Sequence, residues 1–228
     1  GFHGMSNKTV KTDLFEQFAR IGKALASGKR LQILEFLAQG ERNVEALTQL
    51  TGLSVASTSQ HLQQLRQAGL VCASKEGLYV FYRLAGDSIV RLLAALHTVG
   101  QEHLAEVDKL VRLYYDSKDN LEPVPARELM QRVKKGLVTV LDVRPPEEYA
   151  AGHIPGAINM PVSEIRKRLK EIPKDQEIVA YCRGPYCLMA FEAVAELRKT
   201  GRSARRLEEG FPEWRSAGLP VEVADAAH

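Results

Sequence analysis

Apolar residues in the first half of the chain recur every three or four positions between short turn signals. This spacing predicts four helices. Three carry apolar residues at helical spacing, namely Leu14, Phe18, Ile21 and Leu25; Leu31, Ile33, Leu34 and Leu37; and Val44, Leu47 and Leu50, and the fourth carries Thr58, Leu62 and Leu65 inward. Gly40, Gly52 and Gly69 end the second, third and fourth helices, and Ser54 is suited to cap the fourth. The third and fourth helices are therefore separated only by a tight turn at Gly52.

Two β-rich runs follow the fourth helix. LVCAS and LYVFYRL are separated by Lys75, Glu76 and Gly77, which predicts a β-hairpin. A long helix from about Asp87 to Tyr115 completes this half, which is therefore mostly α-helical with a single hairpin.

The second half alternates between β-prone and helical patterns. The runs VTVLDV, EIVAYC and ARRL are interleaved with helical segments around Ala126 to Lys134, Ser163 to Glu171 and Leu188 to Thr200, which predicts a small parallel-sheet α/β domain. Polar and turn-forming residues between Tyr115 and Pro125 mark an exposed junction. We therefore place the domain boundary near Asp119. The residues before Met5 are typical of a cleaved tag, so the two predicted domains are 5–118 and 119–228.

Composition narrows the class of protein. The chain has 45% apolar and 26% charged residues, no uncharged apolar stretch of membrane-spanning length and no secretion signal at its start, so we expect a cytoplasmic protein. Its three cysteines, Cys72, Cys182 and Cys187, are too few for a disulfide framework and stay available for chemistry. The net charge of +3 is by itself weak evidence for a nucleic-acid partner. The segment from Arg20 to Arg83, however, contains eight Lys and Arg residues and only four acidic residues, so the positive excess is concentrated there.

The short third helix, the turn and the capped fourth helix form a helix-turn-helix arrangement, and the hairpin after it would be a wing. Its second helix can enter the major groove of DNA. The candidate DNA-binding residues are Ser54, Ser57, Gln60, His61, Gln64 and, in the wing, Lys75. A polar face is also ordinary for any surface helix, but the order of helix pair, capped helix and wing favours DNA binding.

The segment from Lys23 to Leu84 resembles the ArsR/SmtB family of dimeric repressors, notably in LASGKRLQILEFLAQGERNVEALTQLTGLSVASTSQHLQQLRQAGLV. The resemblance implies a homodimer on a near-palindromic operator, with the first and last helices of this half at the interface. Metal-sensing members carry paired cysteines on the third helix, whereas this chain has Arg42, Asn43 and Glu45 there. His103 and Glu106 on one helix face are a weak alternative zinc site, and we expect neither a metal nor a cofactor. Cys72 is interpreted as a small strand residue.

The segment IVAYCRGPYCLMAFEAVAELRK places Cys182 between a β-run and a helix. Backbone N–H groups and the helix dipole converge on such a position and favour a thiolate or the anionic outer sulfur of a persulfide. We therefore expect a depressed pKa for Cys182 and the fastest alkylation of the three thiols. A packing role is the alternative. The residues predicted to surround the sulfur are Arg183, Gly184, Pro185, Tyr186 and Leu188.

Leu141 to Ile165 and the stretch EEGFPEWRSAGLPVE closely resemble the rhodanese family, a match from about Val124 to Glu222. The resemblance implies that the Cys182 thiolate attacks a sulfane-sulfur donor and that a thiol or cyanide later removes the bound sulfur. It also implies that surrounding residues brace the site, namely Asp142, Arg144, Glu148 and His153, with Gly210, Phe211 and Trp214 shaping the last loop and helix.

Two features of the cysteine loop refine this interpretation. Phosphatases of the same fold place a phosphate-binding arginine where this chain has Leu188, so phosphatase activity is disfavoured. Cys187 lies five residues after Cys182 and would either resolve the persulfide as a disulfide or pack against the helix.

Three functions follow from the two halves. The first is a sulfur-responsive transcriptional regulator, acting as a repressor, with operator DNA, a sulfane-sulfur donor and a thiol acceptor as partners. The second is a sulfurtransferase that uses the winged helix for localisation or dimerisation. The third is a metal-responsive repressor. Fusion of the two halves favours the first.

Overall fold

The computed structural model describes residues 6–116 and 122–224, and divides into two compact units between Ile89 and Val90 along the chain. The expected start at Met5 and the boundary near Asp119 lie outside the described residues. The division into domains 5–118 and 119–228 therefore stays a prediction.

The first unit is a winged helix-turn-helix, as predicted. Its elements are α1 (Asn7–Leu25), α2 (Gly28–Gln39), β1 (Arg42–Asn43), α3 (Val44–Thr51), α4 (Val55–Gln67), β2 (Val71–Glu76) and β3 (Tyr79–Leu84). Ser54 caps α4, since its side chain accepts a hydrogen bond from the backbone N–H of Ser57 at 3.1 Å. The strands form an antiparallel sheet in the order β1-β3-β2, and Leu47, Leu62 and Leu65 are fully buried.

The wing differs from the prediction at its turn. Lys75 and Glu76 belong to β2, and Glu76 pairs with Tyr79, so the turn consists of Gly77 and Leu78 alone. Gly77 has a φ of 60°, a left-handed conformation that two-residue hairpin turns need and that glycine adopts without strain. Lys75 is thus an exposed strand residue rather than a turn residue.

The predicted long helix from Asp87 to Tyr115 is not continuous. It is divided into α5 (Asp87–His103), α6 (Ala105–Leu110) and a π-helical segment at Val111–Asp116. The break is at Leu104, which has extended angles (φ −107°, ψ 109°). No glycine or proline marks this position in the sequence, and this is why helical periodicity alone predicted one helix.

The second unit contains the predicted parallel α/β fold. Its further elements are α7 (Ala126–Lys134), β4 (Val138–Asp142), α8 (Pro146–Ala151), β5 (Ile158–Asn159), α9 (Ile165–Arg168), β6 (Glu177–Tyr181), α10 (Leu188–Lys199), β7 (Ala204–Arg206) and α11 (Phe211–Ser216). The four strands are parallel in the order β5-β4-β6-β7. The helix predicted around Ser163 to Glu171 consists of the short α9 between two 3₁₀ turns.

Strand β6 explains how the core positions the cysteine loop. Successive side chains of a strand face opposite sides of the sheet. Ile178 and Ala180 lie in the core cluster that includes α10, whereas Val179 and Tyr181 lie in the cluster on the other side. The same alternation directs Cys182 toward α10. Nowhere in residues 6–116 and 122–224 is a helix long and apolar enough to cross a membrane.

Candidate functional site

Cys182 lies directly after β6, where the chain turns into the loop that leads to α10. The residue is only 2% exposed. Its thiol donates to the carbonyl oxygens of Gly184 at 3.9 Å and Cys187 at 3.5 Å, and the backbone N–H groups of Gly184 and Ala190 also lie near the sulfur. The sulfur thus lies among both carbonyl oxygens and N–H groups, of which the N–H groups favour an anionic atom.

Cys187 is the N-cap residue of α10 and is half-buried. Its sulfur lies near the Cys182 thiol and the backbone N–H groups of Arg183 and Met189, although the side chain makes no capping hydrogen bond to α10. The carbonyl oxygen of Cys187 is 3.5 Å from the Cys182 sulfur. The loop thus brings the two thiols into direct contact, although only their spacing was visible in the sequence.

The order of thiol acidity is the reverse of the one expected from sequence. Burial raises the pKa of Cys182 well above the ordinary thiol value, with Cys187 adding to the effect. The hydrogen bond from Cys182, with the two backbone N–H groups and the charge of Arg183, lowers the pKa of Cys187 to about 7 against the effect of burial. The expected depressed pKa of Cys182 is therefore wrong, because a thiol this buried loses more solvation than the N–H groups restore.

Arg183 binds Glu148 of α8. Its Nε and Nη2 atoms donate to the two carboxylate oxygens at 2.8 and 2.7 Å. The Glu148 side chain is 1% exposed, so the pair attaches the cysteine loop to α8 in a largely dry environment. The positive charge that the sequence placed beside Cys182 is consequently offset by a carboxylate.

Asp142 and Arg144 form a buried ion pair at the end of β4. Arg144 Nη2 lies 2.7 Å from Asp142 Oδ2 and 2.6 Å from the carbonyl oxygen of Gly152. The hydroxyl of Tyr181, the residue before Cys182, donates to Asp142 Oδ2 at 2.7 Å. This network fixes the strand end from which the cysteine loop departs.

His153 and the last loop support the site from the other side. The His153 ring stacks on Tyr149 and its Nδ1 lies 2.9 Å from the Tyr149 carbonyl oxygen. The backbone N–H of Phe211 donates to the carbonyl oxygen of Cys182 at 3.1 Å. Gly210 approaches the loop so closely that an added Cβ would collide with the backbone of Arg183 and Gly184. Phe211 therefore contacts Cys182 through its backbone, and Gly210 shapes the loop that follows Cys182.

The ring of Tyr186 lies in an aromatic cluster. Its ring lies 5.3 Å from the ring of His97 in α5 and 5.8 Å from that of Tyr115, both edge-on, and its hydroxyl shares a hydrogen bond with Gln101. Tyr115 in turn contacts Phe191 of α10 at 5.3 Å. Tyr186 and Pro185 line a cleft of about 320 Å³ here. Tyr186 was predicted to lie in the loop, but its partners were not predicted. Contacts between segments far apart in the chain produce no pattern among neighbouring residues of the sequence.

In the first unit, the candidate DNA-binding residues of α4 are not equivalent. Gln60 is exposed and Ser57 is half-buried. Gln64 accepts a 2.6 Å hydrogen bond from Arg30 Nη1, which also lies 3.4 Å from His61 Nδ1. Arg30 therefore holds Gln64 and His61 toward α2, and Gln60 is the freest of the predicted reading residues to meet a base.

His103 and Glu106 do not share a helix face, because α5 ends at His103 and the extended residue Leu104 separates it from α6. His103 instead lies 3.7 Å from Glu102, with both side chains exposed. Among the residues that the structure describes, no three His, Cys, Asp or Glu side chains are grouped to hold a metal ion.

Comparison with known proteins matches each half separately and the whole chain at once. Residues 27–72 match the arsR family of bacterial regulatory proteins, and residues 125–217 match the rhodanese-like domain. Over 212 residues the chain is 50% identical to the HTH-type transcriptional regulator Rv0324 of Mycobacterium tuberculosis, covering 93% of each chain.

Two further relatives match one half each. A protein of Allochromatium vinosum named sulfurtransferase is 38% identical over 85 residues, which are 37% of this chain and 78% of that protein. The solution structure of the homodimeric winged helix-turn-helix domain (fragment 1–100) of Mb0332 from Mycobacterium bovis is 48% identical, with a TM-score of 0.41. The matched region covers 46% of this chain and 95% of the Mb0332 fragment.

Proposed function

This chain belongs to the ArsR-type helix-turn-helix transcriptional regulators that carry a rhodanese-like domain, and we propose that it regulates transcription in response to sulfane sulfur accepted by Cys182. The donor class is a polysulfide, a persulfide or thiosulfate. The winged helix would hold the operator through α4, and sulfur loading would change its occupancy.

The contact of Tyr186 with His97 and Tyr115 carries this proposal. Tyr186 is next to Cys187 in the loop, so a sulfur atom added to the loop displaces its backbone and with it the Tyr186 ring. His97 belongs to α5, which begins three residues after the wing strand β3 ends. A sulfur-loaded and a sulfur-free loop thus favour different positions of one helix, which is the requirement for coupling two sites.

The pocket around Cys182 suits the chemistry. The N–H groups of Gly184 and Ala190 supply donors for an anionic outer sulfur, which is charged near neutral pH. Arg183, paired with Glu148, adds no excess charge that would hold an oxyanion such as phosphate strongly. A sulfane sulfur is therefore the ligand that this loop favours.

The regulator would act as a homodimer. Val10, Leu14 and Phe18 recur along one face of α1 and are 50%, 50% and 57% exposed. Such a contiguous apolar stripe needs a partner, and a second copy of α1 provides a matching one.

Operator binding with and without polysulfide tests the proposal. The operator is a duplex selected from random-sequence DNA by the full-length protein, and intact mass is measured on the same samples. Brief polysulfide treatment should first add one sulfur, about 32 Da, and polysulfide should change operator affinity at least about tenfold, or roughly 1.4 kcal/mol. Cys182→Ser should show neither effect, whereas Cys72→Ser, which alters a β2 residue outside the loop, should behave like the wild type. Sulfur loading that leaves operator affinity unchanged would contradict the proposal.

A further inference from the structure

The cysteine loop holds its two thiols as a hydrogen-bonded pair. The Cys182 thiol is placed to donate either to the Cys187 carbonyl oxygen, which lies 3.5 Å from the Cys182 sulfur, or to the sulfur of Cys187. Cys182 is buried and Cys187 is half-buried. One proton therefore lies between two sulfurs that differ in their access to solvent.

The surroundings of Cys187 favour a negative charge there. It is the N-cap residue of α10, a helix of twelve residues, and the backbone N–H groups of Arg183 and Met189 lie near its sulfur, although the side chain makes no capping hydrogen bond. The charged groups facing the pair are the Arg183 guanidinium and, bound to it, the Glu148 carboxylate of α8. The resting loop thus keeps the proton on Cys182 and the charge on Cys187.

We infer that Cys187 acts twice on Cys182: its sulfur accepts the Cys182 proton when Cys182 attacks the sulfane sulfur, and it then expels that sulfur by closing a Cys182–Cys187 disulfide. This inference rests on the proposed function, since it needs sulfur acceptance at Cys182. It makes the disulfide, rather than the persulfide, the lasting product of the reaction.

Both steps balance without an outside oxidant. In the first, Cys182 Sγ forms a bond to a sulfane sulfur of the polysulfide, the donor S–S bond breaks, and the shortened polysulfide leaves as an anion; the proton moves to Cys187. In the second, Cys187 loses that proton to solvent and attacks Cys182 Sγ. The Sγ–Sδ bond breaks and the outer sulfur leaves as hydrosulfide with the electron pair. The sulfane sulfur is reduced, and the two thiols are oxidised to a disulfide.

The alternative is that Cys187 only packs, since it also lies against the core cluster that includes α10. A packing residue and a proton acceptor predict different pH dependence. The pKa of Cys187 is lowered to about 7, chiefly by the hydrogen bond from Cys182. With Cys187 as acceptor, sulfur loading accelerates as pH rises through about 7, because only the thiolate accepts a proton, and then levels off. Without it, loading follows the raised pKa of the buried Cys182 and accelerates only at higher pH.

The test compares Cys72→Ser protein with Cys72→Ser/Cys187→Ser protein, both full-length, with inorganic polysulfide from mildly acidic to mildly alkaline pH. Serine is favoured at helix N-caps, so α10 is kept. The first protein should release hydrosulfide and end about 2 Da lighter than its dithiol form. The double variant should keep its added sulfur, release no hydrosulfide and load at least about tenfold more slowly at pH 7.

Three outcomes would contradict the role inferred for Cys187 or the proposed function. Equal pH profiles and equally long-lived persulfides in the two proteins would overturn the inference, and Cys187 would be a packing residue. Sulfur found on Cys187 in the Cys182→Ser variant would overturn it too, because the attacking residue would be the wrong one. Failure of both proteins to take up sulfur would refute the proposed function itself, and this inference would fall with it.

Discussion

The guanidinium of Arg183 forms two hydrogen bonds with the Glu148 carboxylate, at 2.8 and 2.7 Å, and so connects the cysteine loop to α8. Breaking a buried charged hydrogen bond leaves a partner unsatisfied, so Glu148→Gln should lower the free energy of unfolding by about 1–3 kcal/mol. Chemical unfolding of the full-length chain measures this. Glu147→Gln, at an exposed neighbouring position, is the control and should have little effect.

The same Glu148→Gln change should also accelerate alkylation of Cys187. Arg183, together with the hydrogen bond from Cys182, lowers the pKa of Cys187, and removal of the carboxylate leaves the Arg183 charge less compensated. Peptide mapping after brief iodoacetamide treatment at neutral pH reports the rate at each thiol. A slower reaction at Cys187 would contradict this account of its charge.

Gly210 should not tolerate a side chain. An alanine Cβ would collide with the backbone of Arg183 and Gly184, so Gly210→Ala should displace the cysteine loop, at a cost of about 1–3 kcal/mol, and slow sulfur loading. Gly184→Ala adds the same methyl group within the loop, where the nearest atom is Glu213 Oε1 at 4.0 Å, and should fold normally. The mass gain after brief polysulfide treatment is the measurement, and equal loss in both variants would refute the packing argument.

Tyr186→Ala should separate sulfur loading from the DNA response. The variant keeps both thiols but loses the ring contacts with His97 and Tyr115. It should gain sulfur like the wild type while its operator affinity no longer changes with polysulfide. Tyr114→Ala removes a neighbouring tyrosine that is 60% exposed and should leave the response intact. A normal response from Tyr186→Ala would mean that the signal takes another route.

Gln60→Ala should weaken specific operator binding by about 1–3 kcal/mol and leave non-specific binding nearly unchanged. Gln60 is exposed on α4, whereas Gln64 is held by Arg30. Gln67→Ala, two turns further along the same helix, is the control. Competition titrations against unrelated DNA separate the two kinds of binding, and an equal loss on all sequences would place Gln60 among the phosphate contacts.

The elements of both units were predictable because local sequence determines them. The Ser54 cap, the β-run that ends at Cys182 and the helical pattern of α10 each appear within a few residues and reappear in the structure. The break at Leu104 was not predictable, because nothing in its local sequence disfavours a helix. The wing turn was misplaced by two residues, since β-propensity does not show where a ladder ends.

Some features of the candidate site were likewise predictable from local sequence, and others depend on contacts made only in the folded chain. Cys182 and its loop could be placed from sequence because a strand, a turn and a helix follow one another there. The relative acidity of the two thiols could not, because the pKa of Cys182 depends on burial in the folded core and that of Cys187 on a hydrogen bond between side chains. The partners of Tyr186 likewise come from segments far apart in the chain.

The five-residue separation of Cys182 and Cys187 also determines how easily the signal could be erased. A crosslink stabilises a fold largely by restricting the unfolded chain, and a ring this small restricts it little, by about 2 kcal/mol. Longer rings of the kind found in secreted proteins resist cellular thiols far better. Cellular thiols would therefore reduce a disulfide within this loop easily, and the regulator would return to its resting state as soon as the sulfur supply ends.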